Sequence, residues 1–227
     1  MTPKDYQQFG IYAKDKGISS LGLHYHTQKI EDSLTPYILE ERQMNVTIMD
    51  VFSRLMMERI IWVAGGVDDH MSTICQAQLM FLDSLDHNDI TMHIDSPGGS
   101  VKSGLSIVDV MDYITSDIRT INTGMAASMG SVLLGAGTKG KRGSLRFSQT
   151  MLHQSSGGAV GNIQDAEISM REWNKINNTL FELLGGYCGK DAEIVKNDAS
   201  RDLWLDSTEA LEYGIIDEIV VSKKKGS

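Results

Sequence analysis

The stretch IRTINTGMAASMGS, Ile118 to Ser131, decides how this chain is read. IRTINTG (118–124) has the β-branched density and alternation of a strand. The octet GMAASMGS (124–131) opens a helix and sets one hydroxyl, Ser128, among alanines and glycines, with Met125 and Met129 close by. Two structures suit it. Small residues let two helix backbones pack closely, and they also let a substrate carbonyl reach a serine held on a sharp strand-to-helix turn. Nothing within the octet separates these readings.

The flanking sequence places the octet in a repeating pattern. RIIWVAG (59–65) reads as a buried strand ending at Gly65-Gly66, MSTICQAQLMFLDSL (71–85) as an apolar helix, and ITMHI (90–94) as a second strand. SPGGS (96–100) breaks the chain. SVKSGLSIVDVMDYI (100–114) then forms a helix with Val101, Leu105, Val108 and Met111 on one face, and QTMLHQ (149–154) is a fourth strand. Strands alternating with helices predict an α/β fold with a parallel sheet. Chemistry in such sheets sits beyond the carboxyl ends of the strands. SPGG, the start of GMAASMG and His153 therefore share one edge.

The 227 residues suit one domain with a sizeable core. A net charge of −9 argues against a nucleic-acid partner, which favours a basic patch. Residues 1–32 are polar and weakly periodic, and read as a leader or extension. Its His24-Tyr25-His26 is too sparse for a metal site. The basic run Lys223-Lys224-Lys225 lies in a tail, 223–227. The two cysteines, Cys75 and Cys188, lack CxxC spacing and read as reduced core thiols. No apolar run reaches the roughly 20 residues of a membrane span, and the first thirty residues lack a signal peptide's pattern, so a cytoplasmic protein is expected.

From Gly157 to Gly189 the pattern changes. SSGGAVGN is Gly-rich, and Ile163, Ala166, Met170, Trp173, Ile176, Leu180 and Leu183 follow at helical spacing up to Gly185-Gly186. This helix is either a protruding arm or part of the core. In GAGTKGKR (135–142) the glycines match a dinucleotide-binding pattern, and nearly a P-loop, but Arg142 stands where magnesium needs Ser or Thr. A helix also precedes the glycines and a strand follows, the reverse of a phosphate cradle, so a surface loop is expected.

A serine hydroxyl needs a general base to act as nucleophile. Of six histidines, His153 alone follows a predicted strand beside a Gly-rich loop. An imidazole in that role needs an acceptor to fix its tautomer. SRDLWLDSTEALEYGIID offers Asp202, with Asp198 and Asp206 competing. Backbone N–H donors for an oxyanion are available at Gly99, and at Met129 directly after the serine. Lys139 or Lys141 are alternative bases.

These residues carry a resemblance. DVFSRLMMERIIWVAGGVDDHM, IDSPGGSVKSGLSIVDVM, GMAASMGSVLLGAGTKGKR, MLHQSSGG and RDLWLDSTEALEYGIIDEI resemble, in order and spacing, the proteolytic subunits of the Clp protease family, from about Ser33 to Val220. The resemblance implies a ββα-repeat (crotonase-like) fold over 33–222, with a strand–helix handle near 155–189. It implies Ser128 as nucleophile, His153 as base, Asp202 as its orienter, and Gly99 and Met129 as oxyanion donors.

It further implies two stacked seven-membered rings enclosing the active sites, fed with unfolded polypeptide by an AAA+ ATPase. No cofactor and no metal are implied. Met80, Phe81, His93 and Tyr113 fall where such ATPases dock, although Thr91 and His93 stand where tyrosines are frequent. Met170, Trp173 and Arg201 fall at subunit contacts. Ser155 replaces a usual proline, and SLTPYILEE resembles a mature start, implying cleavage near Asp32–Ser33. A crotonase-like acyl-CoA enzyme and a catalytically silent ring subunit are the rival readings.

Overall fold

The computed structural model describes residues 37–42, 45–155 and 162–221. The leader, its His24 and His26, the expected cleavage point near Asp32–Ser33, the glycines at 157–161 and the basic tail lie outside these residues. The described residues form two units, one ending at Met57 and one beginning at Glu58. In the first, strands β1 (Tyr37–Arg42) and β2 (Asn45–Asp50) pair antiparallel and helix α1 (Val51–Met57) follows. The Asp50 carboxylate accepts from the Ser53 amide at 3.0 Å and from its hydroxyl, tying the first turn of α1 to the strand end.

The second unit is built on strands β3 (Ile60–Ala64), β4 (Ile90–Ser96), β5 (Ile118–Ala127), β6 (Gly143–Leu145), β7 (Gln149–Leu152), β8 (Leu203–Leu205) and β9 (Glu218–Val220). Their order is β3-β4-β5-β6-β9, all parallel, as the alternating pattern predicts. Two features were not legible. Strand β5 forks: Ile121 and Asn122 pair with β6, while Met125, Ala126 and Ala127 pair with β7. Strand β8 runs antiparallel along β7. A ten-residue strand is long enough to serve two short partners in succession, of three and four residues, and single-strand periodicity cannot report that.

Helices α2 (Asp69–Leu85), α3 (Val101–Tyr113) and α4 (Met129–Gly135) connect these strands. Ile90, Met92 and Ile94 from β4 and Leu133 and Leu134 from α4 are buried in the core. The buried face of α3 is Ser103, Gly104, Ile107, Val108 and Met111, rotated from the predicted Val101-Leu105 stripe. Gly104 lies on this buried face, where a Cβ would come within 2.2 Å of the Met129 side chain. Cys75 and Cys188 are buried free thiols, pushed up by burial to about 12 and about 11.

Helix α5 (Ile163–Cys188) runs two residues beyond Gly185-Gly186 and is capped by Gly189. No residue from 163 to 179 is buried, whereas Leu180, Phe181 and Leu184 are. The first two-thirds of its apolar stripe therefore take no part in this chain's core. Helices α6 (Ala192–Asp198) and α7 (Ser207–Tyr213) complete the unit.

The expected surface loop over 135–142 is surface only in part. Lys139 is exposed, but Arg142 is 1% exposed. Its guanidinium donates to both Asp217 oxygens, at 2.8 and 2.6 Å, and to the carbonyls of Tyr187 at 2.8 Å and Gly214 at 3.0 Å. The arginine that spoils the P-loop pattern is thus a buried tie between β6 and the turn into β9.

Candidate active site

Strand β5 extends to Ala127, three residues past its predicted end, and Ser128 stands alone between it and α4. Its backbone has φ 53° and ψ −120°, a conformation a non-glycine residue rarely adopts. Neighbours hold it there. The Ser128 amide donates to the Met151 carbonyl at 2.9 Å, and its carbonyl accepts from the Ser131 amide at 3.0 Å and hydroxyl at 2.7 Å. The turn aims the Ser128 side chain beyond the carboxyl edge of the sheet.

Ala127 pairs with Met151 in the β5–β7 ladder, so residues just past both strands are brought together. His153 Nε2 lies 2.8 Å from Ser128 Oγ. On the other side of the ring, Nδ1 lies 3.5 Å from Asp202 Oδ1. That is longer than an N–H···O hydrogen bond. The His153 side chain is 23% exposed and that of Asp202 61%. The competing carboxylates are engaged elsewhere. Asp198 accepts from the Tyr213 hydroxyl at 3.0 Å. Asp206 caps α7, taking the amides of Thr208 and Glu209 while Glu209 returns to the Asp206 amide.

The SPGGS loop passes beside the elbow. Gly98 (φ 88°) and Gly99 (φ 153°) take conformations that side chains oppose. A Cβ on Gly98 would meet the Ala127 carbonyl and Ser128 Cβ at 2.7 Å and the Met129 amide at 2.8 Å. A bridge fixes the loop's outer side: Val67 donates to the Gly98 carbonyl at 2.9 Å and accepts from the Ser100 amide at 2.7 Å. Among the described residues neither the Gly99 nor the Met129 amide has a backbone acceptor. A serine hydroxyl, an imidazole within reach of it and amides without a backbone acceptor nearby are groups of the kind that acyl transfer needs.

The family model described as Clp protease matches residues 41–223. The chain belongs to the Clp protease family. Proteins named ATP-dependent Clp protease proteolytic subunit are similar along most of it. One from Bacteroides fragilis is 47% identical over 96% of this chain and 99% of its own length. One from Porphyromonas gingivalis is 48% identical over the same shares, and one from Bacteroides thetaiotaomicron is 52% identical over 84% of this chain and 87% of its own. Membership in the Clp protease family makes the chain a serine-type peptidase, the proteolytic subunit of an ATP-dependent protease.

Several residues singled out from the sequence lie away from this edge. Met80 and Phe81 are half exposed and Tyr113 is more so. His93 stacks on Trp62 with centroids 4.8 Å apart, and burial, aided by the Arg119 charge, holds its pKa below the ordinary range. Met170 and Arg201 are exposed and Trp173 is partly so. Lys141 sits between Asp89 at 2.7 Å and Asp117 at 2.8 Å, and Lys139 is 3.7 Å from Asp217. Thr138, next to them, pairs with Ile118 at the opposite end of β5 from Ser128, about 30 Å along the strand. Neither lysine can serve Ser128 as a base.

Sequence reasoning missed Val67, Ser96 and Ser103, which build the loop from behind. The Ser96 hydroxyl donates to the Gly65 carbonyl at 2.6 Å and accepts from the Gly98 amide at 3.1 Å. The buried Ser103 hydroxyl lies 2.6 Å from Asp69 Oδ1 and 2.7 Å from the Ser100 hydroxyl. The available signal was the density of hydroxyls around the glycines, in SPGGSVKSG.

Proposed function

We propose that Ser128, His153 and Asp202 form the catalytic triad of this peptidase, with the Gly99 and Met129 amides as the oxyanion hole. The observation that carries the reading is the 2.8 Å contact of His153 Nε2 with Ser128 Oγ at a strained turn. In the reaction His153 Nε2 takes the hydroxyl proton as Ser128 Oγ adds to the peptide carbonyl. The carbonyl oxygen becomes anionic and is met by the two amides. His153 returns the proton to the departing amine, leaving an acyl-Ser128 ester. Water, deprotonated by the same imidazole, then releases the acid and restores the hydroxyl. Asp202 holds the Nδ1–H tautomer and stabilises the imidazolium.

The substrate class is unfolded polypeptide, cut to small peptides within a chamber. The Clp ATPase partnership follows the relatives' names, with Met80, Phe81, His93 and Tyr113 as its docking surface. The fold is read as ββα-repeat over 33–222, with α5 and the preceding segment (155–189) as a handle joining two stacked seven-membered rings. The exposed turns of α5 support this, because an uncovered apolar stripe is best satisfied by another copy. Arg201, exposed beside Asp202, pairs with an acid of a neighbouring subunit and so couples assembly to the triad. Residues 1–32 are read as a removable leader and 223–227 as a basic tail. Among the described residues no helix is long and apolar enough to cross a membrane, and the cytoplasm suits two buried free thiols.

The experiment is labelling of the full-length protein with a fluorophosphonate, followed by mapping of the modified residue. Modification at Ser128, absent in Ser128→Ala together with peptide hydrolysis, is the expected result. Labelling elsewhere, or hydrolysis that survives Ser128→Ala, would overturn the assignment.

A further inference from the structure

Two residues beyond His153 the chain makes a contact that the chemistry above does not use. Ser155 donates twice to the Oδ1 of Asn177, from its amide at 3.0 Å and from its hydroxyl at 3.1 Å. Between them the Gln154 amide donates to the Ala199 carbonyl at 3.2 Å, three residues before Asp202. The segment bearing His153 is thus anchored at three points. Behind it Leu152 pairs with Leu203 in the β7–β8 ladder. Ahead of it Gln154 is tied to the Asp202 loop, and Ser155 to helix α5.

Asn177 occupies a particular place on that helix. It lies in the last turn before burial begins, since nothing from 163 to 179 is buried while Leu180 and Phe181 are. Its amide oxygen has two lone pairs, and Ser155 supplies a donor for each. Serine leaves φ free, where a proline would lock it near −65°, so the chain after the base needs an external anchor. A 2.8 Å contact between base and nucleophile is sensitive to displacement of either group, because misplacement by about 1 Å can cost about a hundredfold in rate.

We propose that Asn177 is a positioning residue for the general base: its side-chain oxygen fixes the chain after His153 and couples the imidazole's placement to the order of helix α5. The inference rests on the reading of Ser128, His153 and Asp202 as the triad. Helix α5 and the base then respond together.

The test uses the full-length protein with three substitutions. Asn177→Leu removes the acceptor at similar volume, Asn177→Asp keeps an acceptor, and Ser155→Ala removes one donor without touching the helix. The readouts are the rate of fluorophosphonate labelling, and kcat and KM for a small fluorogenic peptide, with particle mass and melting temperature as controls. Asn177→Leu is expected to lower kcat and the labelling rate about tenfold with KM changed less than about twofold, and Asn177→Asp to recover most of the loss.

A wild-type labelling rate in Asn177→Leu would overturn the proposal. Equal losses in the Leu and Asp variants would also overturn it, because packing rather than the acceptor would then be at issue. If Asn177→Leu fails to fold, Ser155→Ala decides: a fall of about twofold or more supports the anchor, and an unchanged rate removes it. Ser128→Ala is the independent control. Labelling that persists there defeats the triad reading itself, whatever the Asn177 variants do.

Discussion

The Nε2 of His153 and the Oγ of Ser128 lie 2.8 Å apart although 25 positions separate the residues in the chain. The parallel register of β5 with β7 brings them together. Ala127 is opposite Met151, the Ser128 amide is bonded to the Met151 carbonyl, and each side chain emerges just past the end of its strand. The pair is therefore as rigid as the ladder beneath it, and changes that disturb the ladder's end are expected to act on catalysis before stability.

Gly98→Ala tests the fit of the SPGGS loop against the elbow. The added methyl would come within 2.8 Å of the Met129 amide and 2.7 Å of Ser128 Cβ, at a φ that disfavours any side chain. Peptide hydrolysis is expected to fall by roughly a hundredfold, the scale of losing one oxyanion donor, while a folded particle remains by circular dichroism. Retention of more than half the wild-type kcat would show that the loop has slack.

The three carboxylates near the C-terminus should separate cleanly. Asp202→Asn is expected to lose most activity, because an amide facing His153 Nδ1 favours the wrong tautomer; substitutions of this kind cost on the order of 10⁴-fold in kcat. Asp198→Asn still offers an oxygen to the Tyr213 hydroxyl and Asp206→Asn remains a good helix cap, so both should keep near-wild-type kcat. Steady-state kinetics of the three variants decides the matter. A comparable loss at 198 or 206 would reassign the orienter.

The Arg142–Asp217 tie predicts an acid-dependent contribution to stability. Burial alone would raise the Asp217 carboxyl, but donors from Arg142 and the Gly140 amide hold it at about 2. A depressed pKa gives stability that is present above the unfolded value of 3.8 and is lost as pH falls through about 2. Asp217→Asn leaves Arg142 buried without its counter-charge, and is expected to cost on the order of 3 kcal/mol near neutrality. Urea unfolding should show the gap to wild type narrowing across that acid range. A gap that stays constant with pH would mean that the tie acts through shape rather than charge.

The exposed stripe of α5 predicts a variant that falls apart without unfolding. Replacing Met170 and Trp173 together with Glu puts charge on a surface that this chain leaves uncovered. If a second copy covers it, particle mass by light scattering should drop and activity with it, while the melting transition of the separate subunits persists. An intact, full-size and active particle would place the interface elsewhere.

Much of this protein was determined locally and was therefore legible in one dimension. Alternating apolar runs and helical periods predicted the parallel strands. The small residues around Ser128, the glycines of SPGG and the position of His153 after a strand pointed to one edge of the sheet, because backbone conformation and strand polarity depend on neighbouring residues. Other features depend on residues far apart in sequence, and only the tertiary structure decided them. Three aspartates of similar appearance at 198, 202 and 206 differ only in what the fold presents to them: a tyrosine hydroxyl, an imidazole and a helix end. Arg142 looks like a solvated loop cation until Asp217 meets it 75 positions away. The fork of β5 and the anchoring of Ser155 by Asn177 are likewise pairings between separate elements. Such contacts are selected by three-dimensional proximity and by the cost of burying an unpaired polar group, and neither quantity exists until the chain has folded.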